Sequence, residues 1–209
     1  MRGFTRGALW IGGILGAIGL LLYLFVFDVW LIKPGPDAVF TTSIRPTLMA
    51  EDKVLVQRGR VPAYGELARC MNPIVSGAYV VGRVFGSAGD RVEVTDGVIV
   101  TNGKALAARH GCPHVVVAHP VTEALVTMTC NAAETGAWSF EYLTQPETNG
   151  GAHNALVEPG KVYLVSDNRL MHEDSRDFGQ VEASTCEHIV FRLWGEHFTD
   201  SSRRFNILW

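Results

Sequence analysis

The sequence predicts a mainly β domain with an inserted subdomain, preceded by one N-terminal transmembrane helix. Three observations carry that expectation. Residues 8–27 (ALWIGGILGAIGLLLYLFVF) form an uncharged apolar run. After it, short runs rich in Val, Ile, Tyr and Phe alternate with turn residues, the pattern of strands rather than helices. All four cysteines, Cys70, Cys112, Cys130 and Cys186, follow the apolar run, as suits a compartment where disulfides persist.

At 1.5 Å per residue the apolar run reaches roughly 30 Å, the hydrocarbon thickness of a bilayer. Trp10 and Trp30 stand near its two ends, Arg2 and Arg6 precede it and Asp28 follows. That asymmetry predicts an N-terminus inside the cytoplasm and the bulk of the chain outside a bacterial cytoplasmic membrane, with lipid as a partner. A cleaved secretory signal would have a shorter apolar core followed by a small-x-small site, and Val29-Trp30-Leu31 offers none. The formal charge of −3, from 18 Lys and Arg against 21 Asp and Glu, shows no basic excess and predicts no nucleic-acid partner.

The boundaries that follow are a cytoplasmic stub over 1–7, an anchor over 8–27 and a linker over 28–38, punctuated by Pro34-Gly35-Pro36. A first part of the β core spans 39–103, with strands expected at 53–57, 78–85 and 91–100. Asp96-Gly97 and Asn102-Gly103 are its tight turns. Residues 104–158 are less regular and read as the inserted subdomain, broken at Asn149-Gly150-Gly151. A second part of the core covers 159–198, with strands at 161–165 and 188–194, and a tail covers 199–209. Four cysteines allow three pairings. Cys112–Cys130, both within the insertion, with Cys70–Cys186 is the preferred one. His110-Gly111-Cys112-Pro113-His114 lacks a second spaced ligand pair, so no metal is expected there.

Three segments carry possible chemistry. The first is Thr41-Thr42-Ser43-Ile44-Arg45-Pro46-Thr47-Leu48, and the second runs from Gly82-Arg83 to Gly86 and Gly89-Asp90. The third starts Ser166-Asp167-Asn168-Arg169 and continues through His172 to Asp174-Ser175-Arg176 and Gly179. In this order, behind an N-terminal anchor, they resemble the bacterial type I signal peptidases, membrane-bound Ser/Lys endopeptidases. The resemblance implies removal of N-terminal signal peptides from exported precursors after small residues, without metal or cofactor.

On that resemblance Ser43 is the nucleophile, and Thr41 supplies an oxyanion donor beside the Ser43 N–H. Asp167, Asn168, Asp174, Ser175 and Arg176 form a structural motif, with Asp174–Arg176 as an ion pair. The general-base lysine is absent, because Gly82 stands at its position. Lys33, Lys53, Lys104 and Lys161 are the chain's only lysines, and none belongs to a segment that could replace it. A serine hydroxyl needs a base near neutral pH. His172 stands where the family commonly has the serine that positions the lysine, and an imidazole titrates near neutrality. The expectation is therefore a Ser43–His172 dyad, oriented by Asp174 or Asp167, that moves into volume vacated at Gly82. The alternative is a catalytically inactive relative that binds signal peptides or a membrane partner.

Overall fold

The computed structural model describes residues 2–33, 38–136, 138–145 and 151–208. The predicted linker punctuation at Pro34-Gly35-Pro36 and most of the Asn149-Gly150-Gly151 break lie outside them, as do the side chains of Arg2 and Arg6.

Helix α1 (Arg2–Phe25) leads directly into strand β1 (Phe27–Leu31). The short helix α2 (Ala38–Ser43) follows, then β2 (Lys53–Gln57), β3 (Leu67–Met71) and β4 (Tyr79–Ser87). A meander comes next: β5 (Arg91–Thr95), β6 (Val98–Thr101) and β7 (Lys104–Ala105). The middle of the chain gives β8 (Ala108–His110), β9 (Val115–Ala118), β10 (Leu125–Thr135), β11 (Trp138–Thr144) and β12 (His153–Leu156). The chain closes with β13 (Lys161–Val165), α3 (Ser175–Phe178), β14 (Val181–Glu182), β15 (Glu187–Trp194) and β16 (Asn206–Ile207). The fold is mainly β, as the short Val- and Ile-rich runs predict.

Of the anchor expected over 8–27, the described residues show helix α1 without a membrane span. No helix among the described residues is long and apolar enough to cross a membrane. The described side chains of α1 run from Trp10 to Phe25, a rise of only about 24 Å at 1.5 Å per residue. The C-terminal boundary also moves. The Val26 carbonyl accepts from the Arg58 N–H at 2.8 Å, and Phe27 pairs with Gln57, so the last predicted anchor residue already lies in the sheet.

One large antiparallel sheet runs in the order β1-β2-β15-β3-β4-β13-β14, with β16 beside β15. Val54 and Val56 of β2, Leu67 of β3, Val81 of β4 and Ile189 of β15 project to one face and pack on Ile44 and Leu48. Val80 and Val84, one residue out of phase, pack on the opposite face with Ala68, Cys70 and Leu164. This alternation is the period of two that a strand imposes. A second sheet joins β12 to the β5-β6-β7 meander, and a third joins β8, β9 and β11 to β10. Residues 153–156, inside the stretch predicted as insertion, therefore pair with the first part of the core through β5. The disulfides are Cys70–Cys186, linking β3 to the segment just before β15, and Cys112–Cys130, linking the β8–β9 loop to β10.

Candidate active site

Ser43 ends α2, on a loop that the third motif holds in place. The Asn168 N–H donates to the Ser43 carbonyl at 2.9 Å, and the Asn168 side-chain amide donates to the Thr42 carbonyl at 3.2 Å. The other end of that amide accepts from the N–H groups of Leu170 and Met171. One buried asparagine thus fixes both the serine loop and its own turn. Leu143 of β11 adds a third layer. Its N–H donates to the Asp167 carbonyl and its carbonyl accepts from the Arg169 N–H, which ties the middle of the chain to the same turn.

Beneath the loop lies a charged core. Arg83 and Asp167 form an ion pair at 2.8 Å with both side chains buried. Thr47 donates to the other Asp167 oxygen at 2.5 Å and accepts from Arg83, so four residues after the serine the chain is clamped to both partners. Arg83 also donates to the Gly65 carbonyl and lies 3.9 Å from the Phe140 ring centre. Arg169 is buried between the faces of Phe85 and Tyr142, and among the described residues its three guanidinium nitrogens have no hydrogen-bond partner. Burial lowers its pKa to about 10, a fall that the nearby Asp167 charge opposes.

The Asp174–Arg176 pair at 2.7 Å is buried, but it serves its own segment. Asp174 accepts from the Ser166 N–H and caps α3, while Arg176 donates to the Arg169 carbonyl. The Ser175 hydroxyl accepts from the Leu164 N–H, fastening α3 to β13. Contact with the serine loop comes instead from Asn168 and from Asp167 through Thr47. Burial alone would raise the Asp174 pKa, yet the Arg176 hydrogen bonds and charge, His172 and the Ser166 N–H outweigh it and leave the carboxyl below its ordinary value.

The two expected reacting groups bond other partners and not each other. Ser43 is 0 % exposed, and its hydroxyl donates to the Phe40 carbonyl at 2.8 Å. The Thr41 hydroxyl donates to the Ala38 carbonyl at 3.3 Å. His172 makes no hydrogen bond to Ser43. Its Nδ1 meets the Asp177 carboxylate at 2.7 Å. The orienting carboxylate is therefore Asp177, in place of the expected Asp174 or Asp167. The sequence carries only the capping role of Asp177, because Asp174 and Asp177 have the three-residue spacing of a capping box, in which the later side chain bonds the cap N–H. A neutral imidazole that donates from Nδ1 to a carboxylate keeps the lone pair on Nε2.

The space beside Gly82 is also tight. A Cβ at position 82 would meet Leu164 Cβ at 3.2 Å and the Val165 carbonyl at 3.3–3.4 Å. Leu164 already stands against that position, so even a Cβ there needs it to give by a few tenths of an ångström. Among the described residues, His172, Asp174 and Asp177 could offer ligand atoms within 4.8 Å of one another. Arg176 and backbone N–H groups already engage the two Asp174 oxygens, so this donor set works as a helix cap rather than as an ion cage.

The model of the signal peptidase family, peptidase S26, matches residues 10–194. The chain belongs to the signal peptidase family. The match runs from within α1 to the end of β15, so it takes in the serine loop, the Gly82-Arg83 strand and the third motif. No curated protein matches the chain. Members of this family are serine endopeptidases, and signal-peptide-bearing preproteins are their substrates.

Two features of the site had no clear signal in the sequence. Thr47 lies inside the first motif, but its role depends on Asp167, 120 residues away. The second is a cluster of Arg60, Glu66 and His188 on the face of the sheet that carries Gly82. His188 pairs with Ala68, which pairs with Gly82. Arg60 bonds both His188 Nδ1 and Glu66.

Proposed function

We propose that the chain is a signal-peptidase-like serine endopeptidase that removes N-terminal signal peptides from exported precursors. It would act at the outer face of a bacterial cytoplasmic membrane, with α1 as the anchor and the N-terminus inside. The observation that carries this reading is the Asp177–His172 pair, an imidazole held by a carboxylate on the segment that Asn168 stitches to the Ser43 loop. Helix α1 supports the anchor, because every side chain from Trp10 to Phe25 lacks burial against the fold and most are apolar. A helix apolar all round needs lipid or protein around it.

In this mechanism Ser43 Oγ rotates away from the Phe40 carbonyl and attacks the scissile carbonyl carbon. Its proton passes to His172 Nε2, and Asp177 stabilises the imidazolium. The Ser43 N–H and the Thr41 hydroxyl, released from Ala38, hold the oxyanion. Imidazolium then protonates the leaving amine, and water hydrolyses the acyl-enzyme. Losing the base would cost on the order of 10²–10⁴ in rate, and losing an oxyanion donor on the order of 10²–10³.

A second reading rests on the burial of Ser43 and its bond to Phe40. In it the chain binds signal peptides or a membrane partner without cutting. One experiment separates the two. Purified full-length protein in detergent is incubated with a precursor carrying an Ala-x-Ala site, alongside Ser43→Ala, His172→Ala and Asp177→Asn. Cleavage by wild type that both alanine variants abolish and Asp177→Asn slows supports the dyad. Undiminished cleavage by His172→Ala removes the imidazole from the mechanism. Binding of precursor without any turnover by wild type establishes the second reading.

A further inference from the structure

The β3–β4 hairpin carries an apolar tip that no other part of the described fold covers. Ile74 is 72 % exposed and Val75 54 %, and Met71 and Tyr79 at its base are exposed as well. No residue from 70 to 82 carries a charge. Strand register says where this tip points. Phe27 pairs with Gln57, Gln57 with His188, and His188 with Ala68, so these four stand at one level across β1, β2, β15 and β3.

Going from Leu31 to Phe27 leads toward α1. On β3 the same direction runs from Ala68 to Met71, because each neighbouring pair in this series is antiparallel. Met71 therefore lies about 10 Å beyond the level at which β1 begins, and Ile74 and Val75 lie further still. The tip and α1 leave the sheet from the same end. Arg58, the next residue past Gln57, donates to the Leu24 carbonyl in the last turn of α1. The loop it starts then shares a cleft of about 510 Å³ with the hairpin base, lined by Gly59, Val61, Met71 and Tyr79.

The tip is also suited to leaving water. The Ile74 and Val75 N–H groups both donate to the Asn72 side-chain oxygen, at 2.8 and 2.9 Å. Asn72 and Ala78 bond back across the turn, and Pro73 has no N–H to satisfy. Turn amides satisfied within the turn escape much of the penalty of losing water, while the apolar side chains point outward.

We infer that the β3–β4 hairpin, through Ile74 and Val75, dips into the lipid bilayer beside α1 and gives the domain a second membrane contact that fixes its orientation over the surface. This inference rests on the reading of α1 as a membrane anchor. Its physical content is that two contacts fix the orientation of a domain that one helix would leave free to tilt.

The test uses the full-length chain in phosphatidylcholine–phosphatidylglycerol vesicles. The native cysteines are bridged, so a single introduced cysteine takes an environment-sensitive fluorophore. Four variants are compared: Ile74→Cys, Val75→Cys, Leu15→Cys on α1, and Leu125→Cys on the exposed β9–β10 hairpin. Lipids carrying a quencher in their acyl chains should extinguish the label at positions 15, 74 and 75 and spare it at 125. Quenching at 15 with none at 74 and 75 overturns the inference and leaves the anchor standing. Quenching at 74 and 75 with none at 15 removes the anchor and overturns the inference of a second contact beside it. Quenching at all four positions, or at none, overturns the inference, because the hairpin then has no contact of its own.

Discussion

At Asp167 one carboxylate faces two buried guanidinium groups, Arg83 by direct contact and Arg169 through its field. Removing it leaves both cations in a medium that solvates them poorly, and breaking a buried pair from one side typically costs about 3–5 kcal/mol. Asp167→Ala should therefore lower the unfolding free energy by about that amount, measured by denaturant titration of the detergent-solubilised chain. It should also loosen Thr47 and with it the serine loop. A loss below about 1 kcal/mol, the worth of an exposed pair, would mean that the pair is solvated. His188 makes the opposite kind of statement. Burial, Arg60 and Arg83 push its pKa below the ordinary 6.5, and Glu66 opposes them. The folded protein then takes up this proton less readily than the unfolded chain. Stability from this group is full above pH 6.5 and falls as pH drops from there through the lowered folded value. Thermal melts at pH 7 and pH 5 should show a lower Tm at pH 5. His188→Gln should flatten the difference, and an unchanged slope in that variant would place the titration elsewhere.

At the scale of elements, β4 shows how one strand divides its work between two faces. Val81 and Arg83 look toward the serine loop and the Asp167 turn, while Val80, Gly82 and Val84 look toward Leu164 and the β3 side. The motif Gly82-Arg83 was legible as a pair, but the division into opposite faces follows only from strand geometry. Position 82 is tight for the same reason, since the register shift at Tyr163 and Leu164, where Phe85 is the extra residue of β4, sets where Leu164 falls against β4. The strands at 53–57 and 161–165 were legible to the residue because short Val-rich apolar runs and adjacent turn residues bound them. The end of α1 was less so. Phe27 is as apolar as the residues before it, and only its pairing with Gln57 marks the change from helix to strand. The α3 cap was written locally in Asp174-x-x-Asp177. The hydrogen bond from His172 to that second aspartate depended on how the turn folds back.

Across the whole molecule, the Cys70–Cys186 bridge closes a loop with a sequence separation of 116 residues. In the chain-entropy view such a closure restricts the unfolded state by about 4–5 kcal/mol. The double variant Cys70→Ser, Cys186→Ser should therefore unfold at markedly lower denaturant than wild type, while opening Cys112–Cys130, 18 residues apart, should cost less, about 3 kcal/mol. Equal losses from the two would show that the short bridge gains extra stability by holding the β10 sheet in its native shape. The sequence by itself determined the mainly β class, the apolar N-terminal run, the motif order and the family likeness, because these rest on local periodicity, turn chemistry and the order of short segments. Only the tertiary structure decided that Ser43 bonds Phe40, that His172 answers to Asp177, that Leu164 stands against Gly82, and that the β3–β4 tip faces the same way as α1. The first two depend on how short turns close, and the last two on which distant strands pair and in what register, which leaves no trace in the composition of either segment.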